Sequence, residues 1–354
     1  MPSPRPIELH AASPARPVRS QASARTLTYA QAINEALAQA MELCEDVVVL
    51  GQLVDYKSGV FGTTTGLVER FGFARVRDVP VAESLMTSAA IGLAVAGLRP
   101  VLVHQRLDFM LYSMDAITNW LALWRFKSNG RSNVPVTIRA IVGKGWGQGP
   151  QHSKSLHAWF AHLPGIRVAM PSTAYDAKGL LLEAIFGEDP TIIIEHRSLF
   201  SMSDTVLAEP YRVRFGRAMI RRSGRDVTMV AMGVMVPQAL RVAVQLAKEG
   251  VEVEVIDLRT VSPWDHAAVC QSVGRTRRLV VADPSWRSGS VAAEIIATVC
   301  EQMGPRLVAP PARVCLPDSH TPMSMVLEEQ YYPSDAAMAQ AIRAVVGPLE
   351  SRHG

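Results

Sequence analysis

Apolar residues follow two alternating patterns along the chain, one with a helical period and one of short unbroken runs. Between residues 28 and 41, Ala30, Ile33, Leu37 and Met41 recur at three- and four-residue spacing, which predicts an amphipathic helix. The run DVVVLG at 46–51 is largely β-branched and ends in glycine, as a buried parallel strand does. Further helices are predicted at 82–96, 110–127, after Ser153 and at 174–186, and further strands at 101–105, 134–143, 166–170 and 191–196.

A second alternation follows a polar, arginine-rich stretch at residues 197–225. It predicts strands at 226–233, 251–258 and 278–283, and helices at 236–249, 263–273 and 290–303. Alternation of this kind is typical of an α/β fold with mostly parallel sheets, and 354 residues are many for one core. We therefore predict two α/β domains, at 27–200 and 224–346, with a linker at 201–223, a disordered tail at 1–26 and a short tail at 347–354.

Composition and charge narrow the class of protein. With 48% hydrophobic and 19% charged residues, the chain has the composition of a folded globular protein. The net charge of +4 comes largely from arginines before Thr26, so nucleic-acid binding is not indicated. The 4 cysteines lack metal-ligand spacing, which predicts reduced thiols and no metal site in this chain. Neither a membrane-spanning run nor a secretory signal is found, so a cytoplasmic location is expected.

Glu83 is the first candidate for chemistry. It opens an apolar, small-residue segment that carries no other charge before Arg99. Such an acid is either a functional carboxylate whose proton affinity the site tunes, or an ordinary N-terminal acid that complements the helix dipole. The residues alone leave both interpretations open.

Two further candidates follow predicted strands, where ligands bind in parallel α/β sheets. Asp108 and Phe109 come after the strand at 101–105. His152 stands between the loop GKGWGQGP at 143–150 and a run that looks helical, so it either caps that helix or relays a proton as a neutral imidazole. The loop matches neither the GxGxxG nor the P-loop pattern, so we expect it to form a flexible wall of a site and not a nucleotide-binding loop.

Many short motifs in one order resemble the beta subunit of thiamine-diphosphate-dependent 2-oxoacid dehydrogenases, of the pyruvate or branched-chain type, in the transketolase-like superfamily. The resemblance covers roughly residues 27–345 and lies in GLVERFG, RVRDVPVAES, GLAVAGLRPV, LDF, VPVTIRA, QHSKS, LPGIRVAMPSTAYDAKGLL, EVIDLRTVSPWD and PDSHTP. It implies an N-terminal domain that binds the pyrimidine end of thiamine diphosphate. It also implies a smaller C-terminal transketolase-type domain that mainly makes subunit contacts.

The resemblance implies roles for particular residues. Glu83 would hydrogen-bond a pyrimidine ring nitrogen and so activate the cofactor, which makes it both a catalytic and a cofactor-binding residue. His152 would be the second catalytic residue and would orient or protonate the acyl-bearing intermediate. Phe109 would pack on the pyrimidine, and Asp108 and Leu85 would adjoin the cofactor.

The family's diphosphate-binding motif GDG does not occur in this sequence. The resemblance therefore implies an alpha subunit that supplies the diphosphate and Mg²⁺ side of the cofactor site, in an α₂β₂ heterotetramer. It implies no metal ligand in this chain, and activity only in the presence of the alpha subunit. A lipoyl acyltransferase is a further expected partner.

Several positions depart from the family pattern. Gln52 replaces a common acid, which would weaken the proposed proton communication between active sites. Arg106 stands where an aromatic is frequent and either recognises a carboxylate or phosphate on the substrate or points into a subunit contact. Lys154 adds a second cation that could contact substrate. Gly187 replaces an aspartate, so a structural monovalent-cation site is not assumed.

Three functions remain open at this point. The leading one is the beta half of a 2-oxoacid dehydrogenase that decarboxylates a 2-oxo acid and passes the acyl unit to a lipoyl acceptor. The second is a two-chain thiamine-dependent carboligase of the transketolase type. The third is a non-catalytic partner that stabilises an alpha subunit, and the presence of both Glu83 and His152 argues against it.

Overall fold

The computed structural model describes residues 24–144 and 147–347. Most of the tail predicted at 1–26, nearly all of the tail predicted at 347–354 and two residues of the glycine loop therefore lie outside the described residues. Within the described part, Ala24–Thr28 forms a strand. Residues 24–26, which the prediction assigned to the disordered tail, are therefore part of this strand. Their backbone pairs with that of a strand about 180 residues later in the chain.

The strands of the described chain, in order, are β1 (Ala24–Thr28), β2 (Val47–Gly51), β3 (Val76–Asp78), β4 (Arg99–His104), β5 (Thr137–Val142), β6 (Arg167–Ala169), β7 (Thr191–His196), β8 (Ser203–Leu207), β9 (Met219–Arg222), β10 (Val227–Ala231), β11 (Val253–Asp257), β12 (Thr260–Ser262), β13 (Leu279–Trp286) and β14 (Ala312–Leu316). The α-helices are α1 (Tyr29–Leu43), α2 (Leu67–Phe71), α3 (Glu83–Val95), α4 (Leu107–Met110), α5 (Trp124–Lys127), α6 (His157–Ala161), α7 (Ala174–Ile185), α8 (Met235–Ala247), α9 (His266–Thr276), α10 (Val291–Met303), α11 (Met325–Tyr331) and α12 (Asp335–Val346).

The chain divides into two compact units. Unit 1 comprises the described residues up to Ile141 together with Leu163–Phe215, and unit 2 comprises Val142–His162 together with the described residues from Gly216 onward. The two-domain α/β prediction agrees with this division, but the boundaries differ. Residues 142–162 were expected in the first domain and belong to unit 2, and the expected linker at 201–223 contains β8 and β9.

The main sheet of unit 1 has its strands in the order β6-β7-β5-β4-β2-β3. The registered pairs within it are parallel, and most of its strand residues are buried, as the unbroken apolar runs predict. Arg139 of β5 and Glu195 of β7 are both fully buried and form a two-pronged ion pair with N–O distances of 2.6 and 2.8 Å. A pair with this geometry offsets the cost of burying both charges.

Helix α1 begins where its sequence predicts. Thr28 is the N-cap, and its hydroxyl accepts from the Gln31 N–H at 3.2 Å while the Gln31 side chain accepts from the Thr28 N–H at 2.9 Å. This reciprocal capping box satisfies two backbone donors that the first turn leaves open. The buried face of α1 packs against α7.

The helix predicted at 110–127 is broken in the structure. The residues instead form α4, a 3₁₀ turn at Leu111–Ser113, a π-helix at Ala116–Leu121 and α5. Thr118 Oγ1 donates to the Met114 carbonyl at 2.6 Å, so a hydroxyl competes for an acceptor of the α-helical ladder. The apolar spacing predicts the segment's buried side but not this local change of hydrogen bonding.

Unit 2 has a sheet with the order β14-β13-β10-β11-β9. β10, β11, β13 and β14 pair in parallel, and β9 joins β11 antiparallel at the edge. Helices α8 and α12 contribute Val242, Leu246, Met338 and Ile342 to an apolar core that also contains Val255 and other strand residues. The strands predicted for this part of the chain all occur, because their runs of valine can be buried on both faces.

Candidate active site

The candidate site in unit 1 is built on loops at the carboxyl ends of parallel strands. β2 and β4 run side by side with Gly51 beside Val103, so Gln52 and Arg106 leave the sheet at the same edge. Ligands of parallel α/β sheets bind at this edge. Asp108 and Phe109 directly follow β4, as the predicted strand indicates, and Glu83 follows β3, a strand that the sequence patterns did not predict.

Glu83 is the first residue of α3 and is 8% exposed. Its Oε1 accepts a hydrogen bond from Gln52 Nε2 at 3.2 Å, and the same nitrogen lies 3.8 Å from Met86 Sδ. An acid that merely complements a helix dipole stays solvated, as Glu69 in the first turn of α2 does. The enclosed position of Glu83 favours the interpretation as a functional carboxylate.

Leu85 and Met86 differ in their surroundings although they are neighbours in α3. Leu85 is 65% exposed, whereas Met86 is buried. Residues two apart in a helix do not face each other, so Leu85 does not share the enclosed surroundings of Glu83. The cofactor contact predicted for Leu85 stays a prediction, and Met86, which sequence reasoning missed, is the side chain that packs near the Gln52–Glu83 pair.

Asp108 and Phe109 lie in the short helix α4, directly after β4. Asp108 is 6% exposed and Phe109 is half-buried. Arg106 precedes the helix, and its Nη1 donates to the Gln105 carbonyl at 2.9 Å. Burial lowers the pKa of Arg106, and the Asp108 carboxylate raises it in partial compensation. Asp108 and Phe109 thus directly follow β4, close to the guanidinium of Arg106, and the cofactor contacts that the resemblance implies for them stay predictions.

Phe61, in the loop after β2, brings two arginines together. The guanidinium carbon of Arg106 lies 5.4 Å from the centroid of its ring, and that of Arg197 lies 4.2 Å from it. Arg197 follows β7 immediately and was not among the predicted site residues. Its place directly after a predicted strand is the sequence signal that could have identified it.

His104 supports α3 from the end of β4. It is 1% exposed, and its Nε2 lies 3.4 Å from the buried Thr87 Oγ1 of α3, one turn beyond Glu83. Burial lowers the pKa of His104 from 6.5 to about 4, so the imidazole is neutral in the folded protein at neutral pH. Helix α3 therefore packs on an imidazole that stays neutral until the pH falls to about 4.

The buried imidazole should make stability fall with pH below neutrality. The unfolded chain takes up a proton at His104 as the pH falls through 6.5, whereas the folded chain does not until about pH 4. This contribution to stability is therefore fully present above pH 6.5 and is lost towards pH 4, on the order of 3 kcal/mol in total. Urea unfolding at stepped pH should show a shallower decline for His104→Gln than for the wild type. The exposed His162→Gln is the control, and equal slopes for wild type and His104→Gln would contradict the prediction.

His152 does not cap a helix. The helix expected after Ser153 begins at His157, as α6, and its N-cap is Leu156 without a side-chain hydrogen bond. The half-buried His152 instead lies in the glycine loop, where its carbonyl oxygen would be 2.3 Å from a Cβ at Gly143. The glycine is required by this close approach. Lys154 Nζ donates to the Pro150 carbonyl at 2.9 Å, and the substrate contact predicted for it stays a prediction.

A buried histidine that sequence reasoning missed lies at the start of α6. His157 Nε2 lies 3.0 Å from Asp283 Oδ1 of β13, and both side chains are fully buried. Burial alone would raise the pKa of Asp283, but attraction to His157 and hydrogen bonds from His157, Ser285 and the Ala292 N–H hold it below its usual value. The pair ties residues 142–162 to the sheet of unit 2.

Among the described residues, no group of three or more His, Cys, Asp or Glu side chains is placed to hold a metal ion. Nor does any helix in the described ranges combine the length and apolar character needed to cross a membrane.

Two family models match the chain. The pyrimidine-binding domain of transketolase matches residues 25–202, and the transketolase C-terminal domain matches residues 216–338. A solved split-gene transketolase, described as an inactive beta4 tetramer, has the same fold, with a TM-score of 0.73 at 21% identity over 90% of this chain and 98% of that one. These matches confirm the predicted fold class.

Relatives of known name match nearly the whole chain. The acetoin:2,6-dichlorophenolindophenol oxidoreductase subunit beta of Cupriavidus necator is 42% identical over 90% of this chain and 97% of its own length. The pyruvate dehydrogenase E1 component subunit beta is 39% identical in Staphylococcus epidermidis and 38% identical in Bacillus subtilis, in each case over 90% of this chain and 98% of the relative. The resemblance found in the sequence motifs is thereby confirmed: the chain belongs to the family of transketolase-type beta subunits that includes those of pyruvate dehydrogenase E1 and of acetoin oxidoreductase.

Proposed function

We propose that this chain is the beta subunit of a heteromeric, thiamine-diphosphate-dependent 2-oxoacid dehydrogenase. The enzyme decarboxylates a 2-oxo acid of the pyruvate or branched-chain type and passes the acyl unit to a lipoyl acceptor. The observation that carries the proposal is the enclosed Glu83 carboxylate at the start of α3, hydrogen-bonded to Gln52 at the carboxyl edge of the sheet. The named relatives are dehydrogenase and oxidoreductase subunits, which supports this reading over a carboligase or a scaffold.

The residues present fit one half of the cofactor. A pyrimidine ring needs a carboxylate for a ring nitrogen and an apolar or aromatic wall, and unit 1 offers Glu83, Met86 and Phe109 for these contacts. A diphosphate needs a magnesium site, and GDG does not occur in the sequence. An alpha subunit that holds the diphosphate and Mg²⁺ is therefore part of the proposal, in an α₂β₂ assembly.

Glu83 is the group in this chain that would hold and move the proton at the pyrimidine. Thiamine diphosphate, when bound, supplies a nucleophilic carbon and a sink for the electron pair released on decarboxylation. A buried carboxylate is shielded from bulk water, so its proton transfer would be directed to the ring nitrogen. Gln52 orients Glu83 by donating to Oε1, and Oε2 would be the oxygen that hydrogen-bonds the ring. Phe109, Asp108 and Leu85 are assigned to the cofactor side, and His152 and Lys154 to the acyl group and substrate.

Purification with an alpha subunit should reveal the activity. The complex should release CO₂ from pyruvate or branched-chain 2-oxo acids in the presence of thiamine diphosphate, Mg²⁺ and an artificial electron acceptor. This chain alone should bind thiamine diphosphate at least about a hundredfold more weakly than the complex, because it lacks the diphosphate contacts, each of which contributes 1 to 3 kcal/mol. Tight calorimetric binding by the chain alone, or a cofactor-loaded complex that decarboxylates none of these acids, would contradict the proposal.

A further inference from the structure

Phe61, Arg106 and Arg197, called here the arginine pair on Phe61, form a cluster that the proposed reaction does not use. Both guanidinium groups stack on the one ring, at 5.4 Å for Arg106 and 4.2 Å for Arg197. Both arginines are half-buried, so the cluster is partly screened from solvent but reachable. It lies at the carboxyl edge of the unit 1 sheet, where Gln52 and Glu83 also lie.

The two cations repel each other. Burial lowers the pKa of Arg197, and the positive charge of Arg106 lowers it further. The negative charge of the Asp108 carboxylate partly offsets the positive charge of the Arg106 guanidinium. An anion bound between the two guanidinium groups would relieve this repulsion, in a partly buried place where charges are weakly screened.

Two local features indicate that the cluster is built to receive a ligand. The Nε atom of Arg106 is buried and has no hydrogen-bond partner among the described residues, although an unmet buried donor is costly. Phe61 adopts a left-handed backbone with φ of +52°, which is strained for a bulky side chain. Strain of this kind is retained at ligand sites.

We propose that the arginine pair on Phe61 binds a carboxylate that persists through the reaction, so that the donor or the acceptor of the enzyme carries a carboxylate besides the one lost as CO₂. A carboxylate is the anion that the acids handled by a 2-oxoacid dehydrogenase carry, and the planar guanidinium group matches its two oxygens. If the arginines bound the carboxylate that leaves as neutral CO₂, they would stabilise the charged substrate more than the transition state. The carboxylate that they bind is therefore one that the reaction does not remove. The inference rests on the proposed function for its reaction class and goes beyond it in the reactants, because pyruvate, the branched-chain 2-oxo acids and a lipoyl amide carry no second carboxylate.

Calorimetry on the full chain, and on its complex with the alpha subunit, tests the site directly. Glutarate is the probe and the uncharged glutaramide is the control ligand. Glutarate should bind and glutaramide should not, and Arg106→Phe or Arg197→Gln should weaken glutarate binding by about tenfold or more, the share of one charge-assisted hydrogen bond. Arg70→Gln removes a matched arginine that stacks on Phe71 at 5.1 Å elsewhere in unit 1, and it should leave binding unchanged. Melting curves confirm that each variant is folded, and Arg197→Gln serves if Arg106→Phe does not fold.

Three results would overturn the site: no preference for glutarate over glutaramide, unchanged binding in both cluster variants, or an equal loss in Arg70→Gln. Kinetics of the complex then separate the sources of the carboxylate. A raised KM for a dicarboxylic 2-oxo acid, with the KM for pyruvate unchanged, assigns the site to the donor, and a raised KM for a carboxylate-bearing acceptor assigns it to the acceptor. If neither KM rises in an active complex, the substrate assignment is wrong. If the complex bound glutarate through the two arginines but decarboxylated no 2-oxo acid, the proposed function would be wrong and the proposed carboxylate site would still be supported.

Discussion

Replacing Glu83 with glutamine should lower turnover of the reconstituted complex by about a hundredfold or more while the assembly stays intact. Glutamine keeps the size of the side chain and can still pair with Gln52, but it cannot hold and return a proton at the position of Glu83 Oε2. Positioned proton transfer of this kind contributes about 10²- to 10⁴-fold to a rate. The measurement is thiamine-diphosphate-dependent CO₂ release at saturating substrate, with assembly followed by size-exclusion chromatography.

Glu69→Gln is the matched control for this prediction. Glu69 also lies in the first turn of a helix, α2, but it is exposed, so it represents the ordinary acid at a helix N-terminus. Its replacement should leave turnover unchanged and cost less than about 1 kcal/mol of stability. If Glu83→Gln lost no more activity than Glu69→Gln, Glu83 would be an ordinary helix-terminal acid and the proposed catalytic role would be wrong.

Replacing Asp283 with asparagine should lower the free energy of unfolding by on the order of 3 kcal/mol. The change leaves His157 facing a neutral amide in a fully buried place, and it weakens the acceptor for the Ala292 N–H, which lies 3.0 Å from Asp283 Oδ2. Removing one partner of a buried pair costs more than the pair contributes, because the other group is left unmet. Urea unfolding measures the loss, and amide hydrogen exchange of residues 147–162 should increase together with it.

Glu249→Gln is the comparison within the same unit. Glu249 pairs with Arg343 through N–O distances of 2.7 and 2.9 Å, but both side chains are exposed, and exposed pairs contribute little to stability because solvent screens them. If the Asp283 and Glu249 variants lost the same free energy of unfolding, burial would not determine how much the His157–Asp283 contact stabilises the protein. An unchanged exchange rate for residues 147–162 in Asp283→Asn would mean that the pair does not tie this segment to the sheet.

The positions of several candidates in the fold could be predicted from the sequence, because they follow a predicted strand or open an apolar helix. Asp108, Phe109 and Arg106 come directly after β4, and Glu83 opens α3, so strand ends and a change in periodicity locate them. Their roles at the cofactor and substrate stay predictions. Of the two interpretations of His152, the structure excludes the helix cap, because the helix begins only at His157, and apolar spacing over so few residues cannot separate a loop from a short helix.

The sequence by itself determined the α/β class, the parallel strands and the buried helix faces, because these depend on local periodicity that burial on one or two faces imposes. It also determined the family, through many short motifs in one order. Only the tertiary structure decided that Gln52 holds Glu83, that two arginines share the ring of Phe61, and that His157 meets Asp283. These contacts join residues from about 30 to more than 130 positions apart, and no local pattern encodes a pairing that arises when separate strand ends are brought to one place.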